Sequence, residues 1–238
     1  MLEIRHETDT RQAYDEIYDH EGILLRDSFY QWLIDLLAPV AERNLLDISC
    51  GQGRLVTLAR RQGLRALGID FSLEGVRKGR QETPAAGWAV GDGECLPFSD
   101  GSVDYITHIG SLEHYLHPDA GAREIARLLK PGGKACILLP NAFGLLGNIK
   151  HVLYKGEIFD DGQPLQRYAT RASWEALLQR NGLHVFETVA YGEIERPRTL
   201  QDWRWLLPRP QKWMRMFLCR FIPLNLANHF VFLCTRER

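Results

Sequence analysis

The stretch Leu45 to Leu55, LLDISCGQGRL, sets two hydrogen-bonding side chains, Asp47 and Ser49, just ahead of Gly51 and Gly53. Glycine at those two places lets the backbone turn tightly and approach a bound molecule, and a helix starting there aims its first amides at the same point. Taken alone, the GxG pattern also fits an ordinary strand-to-helix turn. Two more acids stand in comparable positions. Asp70 closes LGID, 19 positions after Gly51, where a carboxylate can accept hydrogen bonds from a ribose diol. Phe71 beside it can cover one face of an adenine. Asp92 closes AVGD, where it can accept from an exocyclic amine. Each acid singly also reads as a helix cap or a solvated turn residue. Three of them, at the ends of three successive strands beside one GxG, point to a nucleoside-containing ligand.

The elements that must hold these residues follow from periodicity. Apolar positions recur at helical spacing from Ala13 to Leu37, so the first forty residues read as helices ending near Pro39. NLLDIS is then a strand, GQG a turn, and Arg54 to Gln62 a helix stopped by Gly63. RALGID, GWAVGD, VDYITHIG and KACILLP read as further strands, with helices over 73–81 and 120–129 and a turn at KPGG. Strands alternating with helices in this way imply parallel pairing through right-handed crossovers, hence a doubly wound α/β sheet. Regularity lapses after Pro140. A helix over 172–180 and the strands LHVFETVA and HFVFLCTR follow, the two strands separated by a long excursion over 191–228.

The set LLDISCGQG, GIDFS, VGDGECLPFSDGSVDYI and LLKPGGKACILLP, spread over Leu45 to Asn141, resembles the class I S-adenosylmethionine-dependent methyltransferases. The likeness is greatest to the small-molecule group that includes the ubiquinone and menaquinone biosynthesis enzymes. The resemblance implies a Rossmann-like, seven-stranded sheet with its last strand antiparallel and insertions after the fifth and sixth strands. It implies one methyltransferase domain over 1–238, with a helical cap at 1–40, a cofactor core at 41–141 and substrate or lid insertions at 142–171 and 191–228. It implies S-adenosylmethionine as cofactor, with Asp47, Ser49, Gly51 and Gly53 at its methionine part, Asp70 at its ribose, and Asp92, Gly93 and Glu94 at the adenine edge. In relatives an N-terminal segment closes over the cofactor, which brings in Tyr14 and Tyr18, one helical turn apart. Their alternative reading is as core aromatics with a solvated hydroxyl. A nicotinamide dinucleotide uses the same topology, but its fingerprint needs a third glycine where GQGRLV has Val56.

Methyl transfer from a sulfonium needs alignment and exclusion of water, and a base only where the acceptor loses a proton. In this family the residues after the fourth strand face the methyl group. That directs attention to HIGSLEHYLHP, with His108 and His114 as candidate catalytic bases and Glu113 and His117 beside them. A helix beginning at Leu112 with its polar side in water is the alternative. Some quinone O-methyltransferases hold a metal at an ExxEH signature here. Glu113 and His114 match it, but Gly110 replaces the first acid, so no metal site is expected. The PPY-type signature of enzymes that methylate base amines is absent.

Composition bounds the rest. With 45% hydrophobic and 25% charged residues in a 238-residue chain of net charge −1, disordered, collagen-like and coiled-coil readings fall away. Five scattered cysteines with no CxxC argue against a disulfide framework or a structural zinc site and fit a cytoplasmic setting. The polar N-terminus carries no apolar signal stretch, and no apolar run is long enough to span a bilayer. The near-zero charge conceals an uneven distribution. Residues 196–228 hold seven basic side chains and one acid, Asp202, together with Trp203, Trp205 and Trp213, so this span is +6 and the remainder −7. Gln211 to Ile222, if helical, puts Trp213, Met214, Phe217, Leu218, Phe221 and Ile222 on one half and Lys212, Arg215 and Arg220 on the other. Such a helix can pack on the protein's own core, close over an apolar substrate, meet a partner subunit, or lie on an anionic membrane. The function expected is methylation of a small aromatic or amphiphilic acceptor, at oxygen before nitrogen or carbon. The competing expectations are a nucleic-acid methyltransferase, suggested only by the +6 span, and a non-catalytic cofactor-binding protein. Monomer and homodimer are both compatible with the residues.

Overall fold

The computed structural model describes residues 1–7, 9–20 and 22–237. In chain order the strands are β1 (Leu2–Arg5), β2 (Asn44–Ile48), β3 (Arg65–Asp70), β4 (Gly87–Val90), β5 (Val103–Ile109), β6 (Leu129–Pro140), β7 (Leu165–Tyr168), β8 (Leu183–Tyr191) and β9 (His229–Arg236). The helices are α1 (Thr10–Asp19), α2 (Asp27–Leu37), α3 (Arg54–Arg61), α4 (Leu73–Glu82), α5 (Pro118–Leu128), α6 (Lys150–Lys155), α7 (Arg171–Arg180), α8 (Leu200–Leu206) and α9 (Pro210–Leu218).

Seven of the strands form one sheet in the order β4-β3-β2-β5-β6-β9-β8. The first five of these run parallel, while β9 lies antiparallel between β6 and β8. This is the expected Rossmann-like α/β sheet with its last strand reversed. Alternation along the strands fills both faces. Leu46, Ile48, Ile106, Ile137 and Phe232 join Trp174, Leu177 and Leu178 of α7 on one side. Leu45, Tyr105, Leu138 and Val231 meet Leu33 and Leu37 of α2 and Leu55 of α3 on the other. Each such side chain contributes about 1.5 to 3 kcal/mol of burial. Among the described residues no helix is long and apolar enough to cross a membrane.

The strand order reverses at β2. From it the chain crosses to β3 on one side, while β5 lies on the other, so a crevice opens beyond the carboxyl ends of β2 and β5. The turn after β2 that borders it is unusual in backbone. Ser49, Gly51 and Gly53 have φ of 57°, 52° and 69°, a left-handed conformation that glycine adopts without steric penalty. At Gly53 a second constraint acts, since a Cβ there would overlap the indole of Trp88. Gly53→Ala should therefore lower unfolding free energy by about 3 kcal/mol, from φ strain and overpacking together. A urea titration of the two proteins would measure it, and an unchanged midpoint would contradict this account of the turn.

Three features differ from the sequence expectation. The first forty residues are not all helical, because Leu2–Arg5 pairs antiparallel with Leu165–Tyr168 as a separate two-stranded sheet. The stretch after Pro140 is correspondingly more ordered than its composition suggests, carrying α6 and β7. The basic amphipathic helix is shorter than 211–222, running over Pro210–Leu218 with turns after it.

Candidate active site

Beyond the carboxyl ends of β2, β3 and β5 lies a cavity of about 230 Å3, walled by Asp47, Ser49, Cys50, Gly51, Asp70, Phe71, Asp92, Gly93 and Glu94 on the sheet side. Tyr14, Tyr18, Ile23, Leu25, Phe29 and Tyr30 close it from the N-terminal segment, and Ile109 to Ser111, His114 to Leu116 and Gln163 complete it. Nine of the ten residues expected to hold a cofactor thus border one space. Gly53 stands apart: it turns the chain into α3 against Trp88, a packing position and not a wall.

The acids are arranged by the strands that end at them. Asp47 is buried, and Thr107 Oγ1 donates to its Oδ1 over 2.6 Å from the neighbouring strand. Burial pushes its carboxyl up to about 7, against the pull of that hydrogen bond. Asp70 Oδ2 accepts from the Gly51 amide at 2.6 Å and Oδ1 from the Ser72 amide at 2.8 Å, so one side chain joins the turn after β2 to the start of α4. Burial raises Asp70 to about 6, while the backbone donors hold it down. Asp92 lies at the rim, its Oδ1 accepting from the Glu94 amide. Glu94 accepts from the His117 amide at 3.0 Å. A Cβ at Gly51 would come within 2.7 Å of the Tyr18 hydroxyl, and one at Gly93 would overlap the Tyr115 hydroxyl, so both glycines let an aromatic wall approach the floor.

The donor set tests whether S-adenosylmethionine fits. Four carboxyl groups border the cavity, and among the described residues no lysine or arginine does. A sulfonium cation is attracted by the ionised carboxylates here. Each Asp70 oxygen keeps a lone pair beyond its backbone bond, able to accept from a ribose diol. The residues suit the nucleoside and the cation, so Asp70 would hold the ribose, Asp92 and Glu94 the adenine edge, and Asp47 and Ser49 the methionine part. Phe71 is half-buried, with the guanidinium of Arg11 4.5 Å from its ring centroid.

The two candidate bases separate. His114 lies in a 3-10 turn, Leu112–His114, and borders the cavity. Its Nδ1 faces the Leu165 carbonyl, which can only accept, so the proton sits on Nδ1 and Nε2 keeps its lone pair. Burial lowers its pKa below the usual histidine value. His108 is buried on β5, does not border the cavity, and has no hydrogen-bond partner at either nitrogen among the described residues. Burial pushes it down to about 3. A role for His108 in proton transfer has no geometric basis, since strand alternation turns it inward on the same side as Ile106. Glu113 is not on a wetted helix face either. It is buried, pushed up to about 8, and its Oε1 lies 3.9 Å from His114 Nε2. With Glu113 protonated and His114 neutral at pH 7, the two are not an ion pair.

What positions His114 has no counterpart among the sequence motifs. Arg167 on β7 is buried and donates to the Glu113, Tyr115 and Leu116 carbonyls, holding the turn from behind, while Glu3 on β1 accepts from its Nε at 2.8 Å. Gln163, just before β7, accepts from Tyr14 Oη at 2.8 Å. Tyr14 is thereby tied to the cavity wall, with its hydroxyl pushed up by burial. A lone arginine in an irregular stretch gives no local signal of such a role.

Residues 46–137 match the family described as methyltransferase domain. An uncharacterized methyltransferase of Mycobacterium tuberculosis is 30% identical over 157 residues, 66% of this chain and 63% of that protein. A demethylmenaquinone methyltransferase of Renibacterium salmoninarum is 30% identical over 129 residues, 54% of each. The chain thus spans just under two thirds of the first of these relatives and about half of the second. In fold it is similar to a TehB-like SAM-dependent methyltransferase from Corynebacterium glutamicum, with a TM-score of 0.57, 19% identity and 95% of both chains covered.

Proposed function

From the methyltransferase domain match over residues 46–137, we propose that the protein is an S-adenosylmethionine-dependent methyltransferase that O-methylates a small aromatic or amphiphilic acceptor. The observation that carries this is the cavity lined by four carboxyl groups, with His114 but no lysine or arginine on its described walls. When bound, S-adenosylmethionine supplies an electrophilic methyl group on a sulfonium. The protein's own share is binding, alignment, exclusion of water and acceptance of one proton. Ile23, Leu25, Phe29, Ile109 and Leu116 supply apolar wall against which an uncharged ring would pack. His114 Nε2, neutral and bare, accepts the acceptor's hydroxyl proton. The likeness to a demethylmenaquinone methyltransferase supports a quinone-type ring as the acceptor class. A cytoplasmic enzyme meeting such an acceptor at a membrane surface is consistent with the apolar side chains exposed around the cavity mouth and on α9.

Calorimetry with S-adenosylmethionine and S-adenosylhomocysteine, followed by mass spectrometry of a panel of phenols and their methyl ethers, tests the reading. Heat on cofactor addition and a methylene gain on phenols alone are expected. The absence of cofactor binding would sink it. Affinity should also depend on pH in one direction. A ligand cation and ribose hydroxyls both need Asp70 ionised, and its value in the free protein is about 6. With Asp47 titrating at about 7 as well, affinity for S-adenosylmethionine should level off only above about pH 8 and fall steadily below it, by about tenfold per unit or more below pH 6. A constant dissociation constant from pH 5 to 8 would rule out ionised Asp70 as a contributor.

A further inference from the structure

Helix α9 faces the wrong way for a soluble surface. Its amphipathic pattern is present, yet none of its residues is buried, and its apolar stripe points to solvent. Met214 and Phe217 are 61% and 60% exposed and at 100° per residue fall with Leu218 on one face; Phe221, in the turn after the helix, is 71% exposed with its ring 5.1 Å from that of Phe217. The inward side carries charge instead: Arg215 donates to the Gly192 carbonyl and pairs with Glu193 at 2.8 Å. Of the readings open for this helix, packing of the apolar stripe on the protein's own core is not what Met214, Phe217 and Leu218 do, while Trp213 is half-buried with its ring 5.5 Å from that of Trp203. Leu200, Trp203 and Leu207 on and after the preceding helix α8 are exposed as well.

Charge selects what covers this face. Of the seven basic side chains in 196–228, only Arg198 and Arg215 form ion pairs among the described residues, which leaves Arg196, Arg204, Arg209, Lys212 and Arg220 without one. An exposed aromatic and aliphatic stripe on a segment that also exposes the unpaired Arg196, Arg204 and Arg220 matches a lipid surface bearing negative headgroups, whose acyl boundary takes the rings and whose phosphates take the cations. The face also adjoins the cavity mouth. Ile23 and Leu25 border the cavity with their side chains half in solvent. The next residue, Arg26, lies 4.0 Å from the Trp205 ring of α8 and pairs with Glu195.

We infer that α8 and α9 form a docking surface for an anionic membrane, which presents the cavity mouth to an acceptor dissolved in the bilayer. The inference rests on the methyltransferase reading for the acceptor but not for the docking itself. Flotation of the whole protein with phosphatidylcholine vesicles, with and without phosphatidylglycerol, tests it. The wild type should float with the anionic vesicles, about tenfold more than with the neutral ones. Phe217→Ser/Phe221→Ser should lose about tenfold or more of that partition, and Arg204→Gln/Lys212→Gln/Arg220→Gln should lose the preference for anionic lipid. These side chains are at the surface, so each variant should keep wild-type affinity for S-adenosylhomocysteine by calorimetry. No flotation, or equal flotation of the aromatic variant, would overturn the inference. So would an RNA retained by the cations in place of vesicles, or a wild-type dimer that the aromatic substitutions dissociate. Flotation without cofactor binding would leave the docking surface standing and remove the methyltransferase reading.

Discussion

Asp70→Asn should bind S-adenosylmethionine about 100-fold more weakly than the wild type while remaining folded. The side chain closes β3 with one oxygen on the Gly51 amide and the other on the Ser72 amide, and each oxygen has one lone pair left for the ligand. Hydrogen bonds to an ionised acceptor contribute about 1.5 to 3 kcal/mol each, and two of them lost in part account for two decades of affinity. Asparagine keeps one backbone acceptor and the shape, so it isolates the charge. Alanine does more: it strands two amides in a buried place, at about 1 to 3 kcal/mol apiece, and should lower stability as well. Calorimetry and a thermal melt on the same two variants separate these effects. Wild-type affinity in the Asn variant would mean that Asp70 only fastens the turn to α4.

His114→Gln should leave binding of cofactor and acceptor within about twofold and lower kcat by about 100-fold to 10,000-fold. Glutamine can still donate to the Leu165 carbonyl, which fixes the turn, but its remaining atoms are poor bases at the place Nε2 occupies. The pH profile gives a second readout. Burial lowers the pKa of His114, and a base works only when unprotonated, so the acid limb of kcat at saturating cofactor should lie below the pH at which an ordinary histidine titrates. That limb should vanish in His114→Gln. A variant with full kcat would show that the acceptor arrives already deprotonated or loses its proton to water. His108→Gln is the internal control, because His108 faces the core and does not border the cavity. It should affect stability and leave kcat alone.

Much of the fold was legible because its signals are local. Strand, glycine turn and helix recur from Leu45 to Pro140 at spacings that only a parallel sheet accommodates, and the acids at strand ends carry the site with them. His108 was legible in principle too. It shares strand parity with Ile106, a core residue, whereas Thr107 between them reaches Asp47. The clasp of β1 on β7 was not legible. Two four-residue strands more than 150 positions apart have too few alternations to stand out, and their pairing is decided by tertiary contact. Nor could the sequence orient α9. Amphipathic spacing says that a helix has two unlike faces, and only the packing of Arg215 on Glu193 says which one is turned to solvent.

The Arg26 junction has a thermodynamic consequence. One guanidinium touches Glu195, Asp202 and the Trp205 ring, and the residue before it is a wall of the cavity. Arg209 lies 4.7 Å from the same ring, so Trp205 is held between two cations. An occupant of the outer helices that shifted Trp205 would act on Leu25 through Arg26, and filling the cavity would act back through the same residue. Whatever factor one event imposes on the affinity of the other must be returned unchanged, so the two surfaces report on each other with equal strength.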